Sequence, residues 1–189
     1  MKERKLNNLV LLALFVALIF LLGQTPLGLI PLPWCNVTLL VIPVAVGTMF
    51  MGLKSGLALG LAFGATSFVS ALIKPSALVA TLMGASPVLT VIMTFVPRLC
   101  IPLVVWGVFA ALRKRNRYAA TVAAAACGSL TNTVLYLGLM LLFYVMCGID
   151  NTTVLTVIGA TAGGAGPAEA IAAALICPPI LTAMWKVKR

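Results

Sequence analysis

A glycine stands at every fourth position of MGLKSGLALGLAFG, the stretch 51–64: Gly52, Gly56, Gly60 and Gly64. In water this would be a poor helix, because each interior glycine costs about 1 kcal/mol relative to alanine. A spacing of four puts all of these glycines on one face. A bare face on an apolar helix suits one setting, helices packed backbone to backbone within a bilayer. Composition points the same way, with 62% hydrophobic and 8% charged residues and a mean hydropathy of +1.18. These values lie outside the soluble globular range.

A chain of 189 residues reads as one membrane domain over 1–189, long enough for about six spans of ~20 residues each. The spans are expected near 9–30, 38–51, 55–73, 87–112, 119–147 and 167–185, with a tight turn at 52–55 and kinks at Pro97 and Pro102. No ten-residue alternating strands of a barrel occur, so the expected class is all-α, an integral six-helix bundle. The Met1–Lys5 segment leads into a full span without a small-residue cleavage site, unlike a signal peptide.

Lysine and arginine set the orientation. With both termini in the cytoplasm, Lys2, Arg4, Lys5, Lys54, the RKRNR run at 113–117, Lys186, Lys188 and Arg189 all fall inside, whereas Lys74 lies outside. This is the positive-inside pattern. The net charge of +10 is thus spent at span ends, which argues against a nucleic-acid partner. The outer loops at 23–37, 74–87 and 148–166 are long and rich in Gly, Pro, Ser and Thr. Long loops on one face are where binding residues collect.

There is no histidine, and Cys35, Cys100, Cys127, Cys147 and Cys177 form no CxxC pair. No metal and no cofactor is therefore expected. The cysteines read as apolar packing residues, with a Cys35–Cys147 disulfide at the outer face as the alternative.

Ionisable groups inside a bilayer are costly enough to be functional candidates by default. The chain has two, Arg98 and Glu169, with Asn132 as a third expensive group. At 1.5 Å per residue from the cytoplasmic cations, Arg98 lies about 22 Å up from Arg113, Asn132 about 22 Å from Arg117, Glu169 about 25 Å from Lys186, and Ser67 about 20 Å from Lys54. Four spans thus bring a polar group to one level beneath the outer loops, and Tyr136 lies one turn above Asn132. Blander roles stand beside this one. Glu169 follows the GGAGP run at 163–167, where a carboxylate meets a helix dipole. Arg98 and Glu169 can neutralise each other, Asn132 can bond between helices, and Ser67 can serve packing alone.

No phosphate-binding GxxxxGK[ST] loop, GxSxG or HExxH occurs, so the chain has no ATPase or hydrolase signature. No inverted repeat with broken helices marks a secondary carrier. A membrane protein with a pocket and no engine calls for a partner that has one.

In order along the chain stand the AxxxA of Ala13 and Ala17, the 42–67 stretch IPVAVGTMFMGLKSGLALGLAFGATS, PRL at 97–99, GSLTNT at 128–133, GPAEAI at 166–171, and Pro178-Pro179. Over nearly its whole length the chain resembles the substrate-binding S components of energy-coupling factor (ECF) transporters, the vitamin importers of bacteria and archaea, and within them the pantothenate-type subgroup. The resemblance implies a non-catalytic six-helix subunit of the bacterial plasma membrane that holds a vitamin near the outer face. It implies as partners a membrane coupling subunit, reached through Ala13 and Ala17, and two cytoplasmic ATPases. For pantothenate, Arg98 would meet the carboxylate, Asn132 and Tyr136 the amide and hydroxyls, Trp34 would be an apolar cover, and Glu169 would hold Arg98 or accept a hydroxyl. The other readings are an S component for a different vitamin, a self-sufficient carrier, and a structural membrane subunit.

Overall fold

The computed structural model describes residues 2–25, 28–31 and 36–187. Helix α1 (Lys2–Gln24) leads to a short antiparallel ribbon of β1 (Leu29–Pro31) and β2 (Asn36–Thr38), paired with Leu29 opposite Thr38. Then follow α2 (Val41–Met51), α3 (Leu53–Ile73), α4 (Ala77–Ala85), α5 (Pro87–Leu112), α6 (Arg117–Met146), α7 (Thr152–Ala160), a π-helical turn (Thr161–Ala165) and α8 (Gly166–Val187). Among the described residues the regular structure is helical apart from the ribbon. Among them four helical stretches are long and apolar enough to cross a membrane: Leu53–Ile73, Pro87–Leu112, Arg117–Met146 and Thr152–Val187. Asn8–Gln24 and Val41–Met51 are apolar but shorter.

Each outer loop expected from sequence carries secondary structure. The first span stops at Gln24 rather than near residue 30, because Leu29–Pro31 is drawn into the ribbon. The segment 74–87 contains α4, whose first turn is capped by Ser76 accepting from the Val79 amide. The segment 148–166 is mostly helix, since α7 runs through the π turn into α8 with right-handed helical backbone at each junction. Tyr144 on α6 donates to the Leu78 carbonyl at 2.6 Å and ties α4 down.

Helix α5 packs along α6 and α3, and α6 along α8. The main core joins Ile19, Val44, Leu59, Phe63, Ile101, Val105, Ala124, Cys177 and Leu181. A second cluster, with Leu82, Met93, Met140, Tyr144 and Val154, binds α4 and α7 to the bundle. Many large apolar side chains face outward, among them Leu14, Leu61, Val88, Val134 and Leu175. That pattern suits lipid rather than water. Cys147 is a free thiol, and its expected alternative partner Cys35 lies outside the described residues.

The glycine face packs inside the bundle. Gly52 adopts φ 96°, a conformation that costs glycine nothing, and turns α2 into α3. A Cβ on Gly56 would strike the Thr48 side chain, one on Gly64 would lie 2.7 Å from Phe95, and one on Gly60 would lie 2.7 Å from the Arg98 carbonyl oxygen. The Gly60 contact is with backbone, so nothing there can swing aside. Gly60→Leu should destabilise the purified protein by about 1–3 kcal/mol, the usual range for overpacking. A thermal melt in detergent reads this, and an unchanged Tm would show that α3 and α5 separate without cost.

Candidate functional site

Arg98 lies in α5 between two prolines. Proline has no N–H, so Pro97 leaves the Met93 carbonyl without its helical donor. Arg98 Nη1 turns back and donates to that carbonyl at 3.4 Å. The guanidinium carbon lies 4.6 Å from the centre of the Tyr136 ring on α6 and 5.3 Å from that of Phe63 on α3. Ring faces attract a cation by about 0.5–2 kcal/mol each. Pro102 likewise frees the Arg98 carbonyl, and Gly60 packs against it.

Arg98 is only 8% exposed, yet its Nε has no hydrogen-bond partner and no carboxylate among the described residues forms an ion pair with it. A buried cation costs several kcal/mol unless it is paired. A guanidinium held by one long hydrogen bond and two rings keeps most of its donors for an incoming anion.

Glu169, 7% exposed, is occupied elsewhere. Its Oε1 accepts the Thr38 backbone N–H at 2.6 Å and its Oε2 accepts the Thr133 hydroxyl at 3.2 Å. Because α7 and α8 run on without a break, its turn is not a free helix N-terminus. The expected dipole role therefore gives way to a clamp that ties the end of the ribbon to α6 and α8. Glu169→Ala removes both bonds, whereas Glu169→Gln keeps an acceptor for Thr38. Ligand release from the alanine variant should be about tenfold faster, the scale of one charged hydrogen bond, with the glutamine variant near wild type. Stopped-flow release measurements compare them, and equal rates would separate the clamp from ligand retention.

Unpaired buried polar atoms gather around this segment of α6. Asn132, 5% exposed, has an Oδ1 and Ser129, one turn below, an Oγ without partners among the described residues. Thr38 Oγ1 and Thr161 Oγ1 are the other hydroxyls without partners among the described residues. Thr38 is joined to Thr133 through Glu169. Gly166 brings Thr161 and Thr133 together, its Cβ position lying 3.1 Å from the Thr161 carbonyl oxygen and 3.5 Å from the Thr133 methyl. Buried polar atoms are paired in the great majority of cases, so a cluster of unpaired ones marks a place for a polar ligand.

Of the residues expected from sequence, the structure brings Arg98 and Tyr136 into contact; Asn132 lies one turn from Tyr136 on α6, and Glu169 is bonded to its neighbour Thr133. Trp34 lies outside the described residues. Ser67 lies farther out. Gly56 faces Pro102, Gly60 faces Arg98 and Gly64 faces Phe95, and this antiparallel register carries Ser67 about 10 Å beyond Arg98 at 1.5 Å per residue. The inner turn at Lys54 therefore lies deeper than Arg113, and counting from both as one level placed Ser67 too low. Phe63, Thr38, Ser129, Thr133 and Thr161 were not anticipated.

Residues 7–181 match the family described as ECF transporter, substrate-specific component. The chain belongs to that family. This S component is also 32% identical over 155 residues to the pantothenic acid transporter PanT of Lactococcus lactis subsp. cremoris (strain MG1363), a match covering 76% of this chain and 77% of PanT. It is a multi-pass membrane protein of a substrate-binding transport family, and its buried arginine lies within the matched region.

Proposed function

We propose that this S component captures pantothenate at the outer face of the bacterial plasma membrane and delivers it through an ATP-driven ECF importer. The buried guanidinium of Arg98, without an ion pair among the described residues, carries the reading, because pantothenate has one carboxylate and a guanidinium fork matches a carboxylate bidentately. The named activity of PanT supports the same choice. Asn132 and Tyr136 address the amide and hydroxyls, Glu169 clamps the ribbon, Ser67 lies toward the outer end of α3, and Trp34 of the first outer loop is the apolar cover. The chain forms one domain of six spans, with the RKRNR run and both termini in the cytoplasm, as the placement of lysine and arginine supports. Ala13 and Ala17 meet the membrane coupling subunit, and two cytoplasmic ATPases supply the energy.

Calorimetry on the detergent-purified protein, with pantothenate and its uncharged alcohol analogue, tests this reading. Pantothenate should bind far more tightly than the alcohol. Equal affinities would remove Arg98 from the carboxylate role. Binding of neither would leave an S component for a different vitamin.

A further inference from the structure

A concentration of cations lies at the far end of α5. The C-terminal ends of α2 and α5, the start of α6 and the end of α8 enclose a cleft of about 570 Å³. Arg113, Lys114 and Arg117 line it beside Trp106, Phe109 and Trp185. The arginines are held by aromatic rings. The Arg117 guanidinium carbon is 3.5 Å from the centre of the Trp185 ring, and that ring stacks on Phe109 at 6.2 Å. Arg113 lies 5.7 Å from the centre of the Trp106 ring. Stacking uses the face of a guanidinium and leaves its edge donors for an anion. Neither carboxylate whose side chain is described, Asp150 or Glu169, pairs with these cations. Asp150 is engaged by Thr152, and Glu169 by Thr38 and Thr133.

Positive-inside placement explains why cations lie here, but it does not require two of them to be fixed on indoles around one cleft. We infer that this cleft holds the phosphodiester headgroup of an anionic phospholipid of the inner leaflet, given the orientation proposed above. Lipid is favoured over soluble phosphate because tryptophan marks the membrane–water boundary and because Met49, Met51 and Phe109 give the cleft an apolar wall. Basic pockets between spans on the cytoplasmic side suit such headgroups.

Native mass spectrometry of the full chain, offered dioleoylphosphatidylglycerol or dioleoylphosphatidylcholine, reads the site directly. The glycerol lipid should be retained in preference to the choline lipid. Its retention should fall about fivefold for each cation removed in R113Q/K114Q/R117Q. The charge-matched K54Q/R115Q/K186Q, whose cations do not line the cleft, should retain lipid as the wild type does. Free glycerol phosphate should fail to displace the lipid. Equal losses in the two triple variants, no preference between the lipids, or displacement by glycerol phosphate would each overturn the inference. Unchanged lipid retention in R113Q/K114Q/R117Q, with loss of the co-purifying membrane coupling subunit, would also overturn it and give the cleft to a protein partner.

Discussion

Arg98→Lys should bind pantothenate about ten- to a hundredfold more weakly than the wild type, corresponding to the roughly 1.5–3 kcal/mol of a charge-assisted hydrogen bond. Lysine keeps the charge, but it loses the forked donors and the flat surface that lies against Tyr136 and Phe63. It also gives up the bond to the Met93 carbonyl that Pro97 leaves open. The uncharged alcohol analogue separates these losses. If Arg98 meets the carboxylate, the substitution should change affinity for the alcohol much less than affinity for the acid. Parallel losses for both ligands would mean that Arg98 shapes the site without touching the carboxylate. Isothermal titration with both ligands on both proteins supplies the four affinities.

The arginine was legible because a cation in the middle of an apolar span is rare, and residue counting from RKRNR at 113–117 fixed its depth beside Asn132. That counting works where two helices share a turn, as α5 and α6 do. It failed for Ser67, since the α2–α3 turn at Gly52 is not level with the α5–α6 turn. The glycine spacing announced close helix packing, and the structure names the partner as the α5 backbone at Arg98. Other parts of the site had no sequence signal. Phe63 is one aromatic in an apolar helix, and nothing in its neighbours marks it as a seat for a guanidinium. Thr38 serves Glu169 through its backbone N–H, which every residue except proline could offer. The Glu169 clamp joins the end of the ribbon to a residue 131 positions later, a long-range pairing that local pattern does not encode. The outer segments read as loops because Gly, Pro, Ser and Thr are frequent in them, although α4 and α7 bury Val79, Leu82 and Val154 against the bundle.

Pantothenate uptake should be abolished when Ala13 and Ala17 are both replaced by tryptophan, while pantothenate binding to the isolated protein stays at the wild-type level. Both alanines are exposed on α1. They lie one turn apart on a face whose neighbours Leu9, Val10, Leu14 and Leu21 are 58–65% exposed. Alanine between larger apolar side chains forms a shallow notch that admits the backbone of another helix. Phe15 and Ile19, by contrast, turn inward to the core. An indole on the exposed face has lipid to occupy in the isolated subunit and meets no internal neighbour, so the Arg98 site should not sense it. Against a coupling helix the same indole holds the backbones apart. Uptake in cells, recovery of the coupling subunit on the tagged protein, and calorimetry on the purified variant separate the two effects. Normal uptake by the double variant would move the docking surface away from this face of α1, and loss of pantothenate binding would show that the face supports the fold instead.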